Sequence, residues 1–275
     1  MASTRTRQRK LERDRYERKL VRQAQRQKSR RQIQAGIGAF LALALIGVGV
    51  AWLAGVFEPD SGEDPFAQPD LCTWLPREVA DHPDRTEVGT PPANPPTAGT
   101  RTIGIELDAG PVGAGAVTVA MDVATDPCGA ASMEHLAAQG FFDETECHEL
   151  FEGVALRCGD PSGTGLGGPT YAFFGDNLPA PTSTEEGEEP APTYPAGTVA
   201  FGDSVGENGS QFLLFFEDYA PENPVHPLIG TMTDGLAVVE EIGAAGAAED
   251  APTRPAEPVL IRSLTVTDPA AAPTQ

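Results

Sequence analysis

GDSVGENGSQFLLFFED, residues 202–218, admits two readings that lead to different folds. Its first five residues fit G-x-S-x-G, the nucleophile elbow of α/β-hydrolases, with Ser204 as the nucleophile. That elbow requires a helix directly after the serine. Here Asn208-Gly209-Ser210 leads instead into the apolar run QFLLFF, which has the length and aromatic content of a buried strand. The hydrolase reading therefore fails, and Ser204 is expected to be inert. Asn208-Gly209-Ser210 also fits a glycosylation sequon, but it reads more simply as the turn entering that strand.

The flanking segments repeat the strand pattern. AGTVAFGD (196–203) precedes the opening stretch and HPLIGTM (226–232) follows it. TRTIGIELD (100–108), AGAVTVAMDV (114–123) and PVLIRSLTVTD (258–268) alternate or run apolar. Two segments are helical. In DPCGAASMEHLAAQGFF (126–142), Asp126 is a fitting N-cap, Pro127 suits the first helical position and Gly140 ends the helix. DGLAVVEEIG (234–243) sets Leu236, Val239 and Ile242 on one face. LPAPTSTEEGEEPAPT (178–193) is an exposed loop by composition. GTGLGG (163–168) matches G-x-G-x-x-G, but no crossover helix follows it, so it is no dinucleotide fingerprint. Many short strands and two helices predict a mainly β domain, a closed barrel or sandwich with the helices as lids.

Charge divides the chain. Residues 1–31 hold 13 of the 19 Lys+Arg, and only Glu12, Asp14 and Glu17 among the 40 acids. Ala35–Phe57 is apolar and uncharged over 23 residues. A helix of that length rises about 34 Å, enough to cross a hydrocarbon core of ~30 Å. The basic flank sets the N-terminus in the cytoplasm and the remainder outside. The expected organisation is a basic cytoplasmic arm (1–34), a single transmembrane helix (35–57), an acidic Pro-rich linker (58–98), a folded domain (99–268) and a disordered tail (269–275). The arm has one aromatic residue, Tyr16, and reads as a solvated juxtamembrane segment rather than a nucleic-acid binder. The acidic remainder also disfavours nucleic acid, and the ectodomain is expected to be monomeric.

Cys72, Cys128, Cys147 and Cys158 all follow the apolar stretch. An even count in an oxidising compartment favours two disulfides, with three pairings open. No short C-x2-4-C pair suggests zinc, so no metal site is expected. ECHELFEGVALRCGD (146–160) reads as a hairpin bridged Cys147–Cys158, and CTWLP (72–76) as a linker segment pinned back through Cys128.

From about residue 101 to 267 the order of elements resembles the cyclophilin-type peptidyl-prolyl cis-trans isomerases. The resemblance is carried by the helix ending in GFFD, by ECHELFEG…CGD and GDPSGTGLGG, by NGSQF (208–212), and by HPLIGTM and DGLAVVEEI. The anchor, arm and cysteines are similar to those of membrane-tethered bacterial members. The resemblance implies a closed antiparallel eight-stranded β-barrel capped by two helices, with a proline-binding groove on one barrel face. It also implies isomerisation of X–Pro bonds in exported chains without a cofactor or covalent intermediate. Rotation about the conjugated amide costs ~18–20 kcal/mol, and binding the twisted form better than the planar one lowers that barrier. Family members use an arginine for much of this.

In this chain Glu149 stands at that arginine's position, and Arg157 replaces the glutamine that supports it. An ionised carboxylate donates no hydrogen bond. The groove positions carried over are His148, Val154, Ala155, Phe201, Gly202, Leu213 and His226, with Gln211 matching a substrate-binding glutamine. Two alternatives stay open: Arg157 is a relocated catalytic group oriented by Glu149, or the pair is a structural ion pair in a non-catalytic groove that binds proline-containing or extended segments. Strict alternation would put Glu149 and Arg157 on different faces if Cys147 and Cys158 were directly opposed; a one-residue shift would reunite them.

Overall fold

The computed structural model describes residues 69–77, 84–182, 191–203 and 207–268. The arm, the apolar stretch 35–57 and the tail 269–275 lie outside these. No helix among the described residues is long and apolar enough to cross a membrane.

Nine strands form one curled antiparallel sheet: β1 Thr100–Asp108, β2 Ala114–Asp122, β3 Thr145–Glu146, β4 Glu149–Phe151, β5 Ala155–Cys158, β6 Thr198–Phe201, β7 Phe212–Phe215, β8 Leu228–Asp234 and β9 Leu260–Thr267. Their order is β3-β9-β1-β2-β8-β6-β7-β5-β4. The edge strands β3 and β4 are thus consecutive in sequence, separated by Cys147 and His148 alone. The expected count was eight; the ninth strand arises because this segment kinks and pairs at both ends of the sheet.

Two helices accompany the sheet. Helix α1, Pro127–Ala138, starts where the sequence predicts: Asp126 accepts from the Gly129 N–H at 2.8 Å, and Gly140 beyond its end has φ 64°. It buries Met133 and Leu136 in the core. A Cβ at Gly129 would come within 2.8 Å of the Phe201 ring, so the glycine permits that close approach. Helix α2, Leu236–Ala245, buries Val239 and Ile242, and Gly235 precedes it in the left-handed region that glycine tolerates.

The linker expectation is corrected. The compact unit begins at Pro69, not near residue 99. Leu75–Pro76 pairs with Tyr171–Ala172, and Arg85–Thr86 pairs with Gly168–Pro169. The Trp74 ring meets Tyr171 and Phe173 edge-on at 5.3 and 5.5 Å. Cys72 bridges Cys128 as expected. A Pro-rich composition hid these contacts because they need only a few apolar anchors and one covalent bond. The loop 178–193 begins and ends as a short ribbon, Pro181–Thr182 with Ala191–Pro192.

Candidate active site

Strand parity decides which side chains leave the core. Leu156 and Cys158 of β5, Phe212 and Leu214 of β7, and Val199 and Phe201 of β6 all join the main core. Their neighbours Ala155, Leu213, Phe215 and Ala200 form a second, outer apolar cluster with Tyr194. Tyr194 stacks on Phe215 at 4.8 Å between ring centroids, and Tyr219 stacks on Phe215 at 6.1 Å. Above this floor lies a cavity of about 130 Å³, bounded by Phe151, Val154, Tyr219 and His226. That is room for about four waters, or one small ring.

Beside the floor sits Arg157, directly opposite Leu213 on β7 and Glu149 on β4. Its Nη1 donates to Glu149 Oε2 at 2.9 Å, and its Nη2 donates to the Gly202 carbonyl. Nε is buried without a partner. The question of faces is thereby answered. Glu149 pairs with Arg157, so Cys147 and Cys158 are offset by one residue, and their disulfide runs diagonally. The Cys147 N–H already bonds Val259 on the far edge of the sheet, so the chain kinks at this point. The shift brings the two charged side chains together.

Gly202 belongs here too, since a Cβ on it would stand 3.3 Å from Leu213 and 3.4 Å from Arg157 Nε. His226 lines the cavity, and its Nδ1 lies 2.9 Å from the Phe201 carbonyl. Burial pushes the His226 pKa down, more than that hydrogen bond raises it.

Three carried-over residues are placed differently from expectation. Phe201 does not line the groove; it is 1 % exposed and packs edge-on to Phe173 in the main core. Ala200 takes the outward position, because a strand turns over at every residue. Gln211 is 2 % exposed, and its Nε2 donates to the Gly165 and Gly167 carbonyls, so it holds the glycine-rich turn. His148 lies against Gly165 of that turn, with both ring nitrogens buried and unpartnered. Burial holds its pKa down as well.

The same turn has a single hub. Asp160 accepts from the N–H groups of Ser162, Gly165 and Gly167 at 2.8, 2.6 and 3.1 Å. Burial raises its pKa, but the Ser162 hydroxyl, which donates to it at 2.7 Å, and these N–H groups outweigh it, and the net shift is downward. Asp203 plays a similar part at the entry to β7, accepting from Gly209 and Gln211. There burial dominates and pushes its pKa up to about 6. The sequon is closed off: Asn208 and Ser210 are buried, and Ser210 Oγ donates to the Gly159 carbonyl. Ser204 lies outside the described residues, and Glu207–Phe215 is bridge and strand rather than helix. Among the described residues no cluster of His, Cys, Asp and Glu could hold a metal ion.

Three cavity-lining residues escaped the sequence reading, Phe151, Phe215 and Tyr219, as did Tyr194, which is buried and stacked on Phe215. Phe215 was recoverable, being two residues from Leu213 on one strand. Tyr194 and Tyr219 meet through an isolated backbone bridge between loops, which no local pattern announces. A larger cavity of about 370 Å³ lies outside β2, β6 and β8. Asp122 is its one titratable side chain, and that carboxylate caps the Ala124 N–H, so the chemistry points to the smaller cavity.

Comparison with known proteins agrees with this geometry. The family model for cyclophilin type peptidyl-prolyl cis-trans isomerase/CLD matches residues 105–266. "Probable peptidyl-prolyl cis-trans isomerase B" of Mycobacterium leprae is 38 % identical over 144 residues, which cover 48 % of this chain and 47 % of that protein. "Peptidyl-prolyl cis-trans isomerase B" of Bacillus subtilis is 34 % identical over 107 residues, covering 38 % of this chain and 68 % of that one. The chain thus spans about half the length of the mycobacterial relative. A crystal structure of a Cryptosporidium parvum cyclophilin type peptidyl-prolyl cis-trans isomerase superposes with a TM-score of 0.50 at 18 % identity, covering 63 % of this chain and 99 % of that one. That last likeness concerns the fold alone. With the family model spanning more than half of its residues, the chain belongs to the cyclophilin-type peptidyl-prolyl cis-trans isomerase family.

Proposed function

We propose that this chain is a membrane-tethered peptidyl-prolyl cis-trans isomerase acting on proline-containing segments outside the cytoplasm, with Arg157 in place of the family's arginine. One observation carries the reading. A guanidinium with an uncommitted, buried Nε stands beside an apolar cavity of one ring's size.

The magnitudes fit a slow enzyme. Burying the three methylenes of a proline ring contributes roughly 2.4 kcal/mol, at ~0.8 kcal/mol each. A millimolar complex needs about 4.1 kcal/mol, so hydrogen bonds to the flanking amides must supply the rest. A hydrogen bond from a charged donor contributes about 1.5–3 kcal/mol, or roughly ten- to a hundredfold in rate if it forms only as the amide twists. Glu149 and the Gly202 carbonyl hold two of the five N–H donors of Arg157, one on each Nη, and so tie its fork down. Activity is therefore reduced relative to a site with a free fork.

The same occupancy favours a second reading, a non-catalytic module that binds proline-containing or extended segments. Turnover of an X–Pro peptide by the whole chain and by Arg157→Ala separates the two. An active parent and an Arg157→Ala variant slowed more than ~10-fold supports catalysis. An inactive parent that gains turnover on Glu149→Arg supports the binding module.

Tethering is supported by the uncharged stretch 35–57 behind its basic flank, and an oxidising location by the two disulfides. The proposed organisation is a cytoplasmic arm (1–34), an anchor (35–57), a monomeric ectodomain and a tail (269–275). Taking Thr145–Phe151 as one kinked strand makes the sheet a closed eight-stranded barrel. Protease protection of the arm in intact cells, with the domain accessible, checks the orientation; the reverse pattern would refute it.

A further inference from the structure

Beyond the basic arm the chain has no lysine, and its six cations are all arginines. Each is already engaged. Arg77 pairs with Glu207, Arg101 with Glu134 and Asp268, and Arg157 with Glu149. Arg254 pairs with Asp250, and Arg262 with Asp108 and Glu144. Arg85 donates to the Pro169 carbonyl at 3.0 Å.

The carboxylates around the apolar cavity are not matched in this way. Glu152 lies in the turn between Phe151 and Val154, whose N–H bonds the Phe151 carbonyl. The Glu217 N–H reaches the Val154 carbonyl at 3.4 Å, which sets Glu217 against the same wall. Asp218 adjoins Tyr219, and Glu222 lies in the loop joining Tyr219 to His226. All four are exposed. Among the described residues none has an ion-pair partner, and Arg157, the cation beside the cavity, is already neutralised.

We propose that the groove selects proline-containing segments whose neighbouring residues are Lys or Arg, and disfavours those flanked by acids. The inference rests on the proline-binding reading above and adds the client's charge to it. An extended chain advances about 3.3 Å per residue, so two or three flanking residues stay within reach of these carboxylates. At physiological salt the Debye length is ~8 Å, so rim charges act on residues at that distance and are screened beyond it. Exposed rim charges of one sign act chiefly on association rate and on salt dependence.

The test uses three labelled X–Pro peptides that differ only in flanks of Lys, Ser or Glu. Their affinities for the whole 275-residue chain are read by fluorescence anisotropy. At low salt the Lys-flanked peptide is expected to bind at least ~10-fold tighter than the Glu-flanked one. At ~1 M salt, where the Debye length is ~3 Å, that ratio collapses towards one. The basic arm cannot mimic this result, since it would favour the Glu-flanked peptide. Glu152→Gln with Glu217→Gln is expected to shrink the ratio, while Glu106→Gln, on the exposed face of β1, leaves it in place. Equal affinities for the three peptides, or a ratio indifferent to salt, would overturn the charge preference alone. Failure of all three to bind would overturn the proline-groove reading and the preference together.

Discussion

Strands β5, β6 and β7 show two faces built from alternate residues. Inward they place Leu156, Phe201, Phe212 and Leu214 against one another and against helix α1. Outward they place Ala155 and Leu213 on the wall of a cavity, with Ala200 in the same apolar cluster and Arg157 opposite Leu213. The inner face is complete in itself, so its residue types follow from packing density and little else. The outer face packs beneath loop residues and leaves a small cavity, so its residue types are less tightly fixed by packing. A swap of charge between Glu149 and Arg157 is therefore compatible with the fold, whereas a comparable change at Phe212 is not.

Paired substitutions on adjacent residues break or sharpen that contrast most strongly. Phe212→Ala should cost about 3–5 kcal/mol in urea unfolding, as expected for a buried aromatic. Leu213→Phe should keep the fold but fill the cavity and abolish peptide binding. If Leu213→Phe proves the more destabilising of the two, the division into faces is wrong. Next in size is the diagonal disulfide, both of whose cysteines lie in the inner core. Replacing Cys147 and Cys158 with serine opens a loop of 11 residues and should cost about 3 kcal/mol, read from the same unfolding curves. Peptide affinity should fall with it, since the kink sets the register of Glu149 against Arg157.

Glu149→Gln is smaller. The pair is partly exposed, with side chains 19 % and 27 % accessible, so its loss should cost about 1 kcal/mol or less of stability. Turnover should rise, because a neutral amide oxygen holds Arg157 Nη1 less tightly than the carboxylate does; unchanged turnover would mean that the fork is not the limiting group.

The pH response is the gentlest effect. Burial lowers the pKa of His148 and His226 below the unfolded value of about 6.5. The unfolded chain then takes up protons first. Stability from these neutral rings is full above about pH 6.5 and is lost as pH falls through that value towards the folded ones. Asp203 opposes this. Its folded value of about 6 exceeds the unfolded ~3.9, so its contribution is present below about pH 3.9 and lost as pH rises through about 6. On acidification from pH 7 to 5 the melting temperature of Asp203→Asn should move downward relative to the parent, and that of His148→Gln/His226→Gln upward. Identical slopes in all three proteins would remove the histidines and Asp203 from the account.

How far these faces could be read in the sequence follows from the same parity. QFLLFF announced a buried strand, and the resemblance, not the apolar run itself, placed Leu213 at the groove. The helix from Asp126 to Gly140 carried its own start and stop. Phe201 was carried over from the resemblance as a groove position, whereas its orientation depends on the register of β6, which points it into the core. Gln211 was misjudged for a different reason. Its residue type suits a substrate contact equally well, and only the fold brings two loop carbonyls to its amide. Phe151 is the last residue of a three-residue strand and Tyr219 reaches the groove from a loop, where too little periodicity exists to mark the buried side.

The most direct test is to follow backbone amides by NMR while an X–Pro peptide is titrated into the whole chain. Shifts should concentrate at Val154, Ala155, Leu213, Tyr219 and His226, spare Phe201 and Phe212, and accompany exchange between the peptide's cis and trans signals. Shifts centred instead on the cavity outside β2 and β8, or none on the outer face of β5 and β7, would contradict the account.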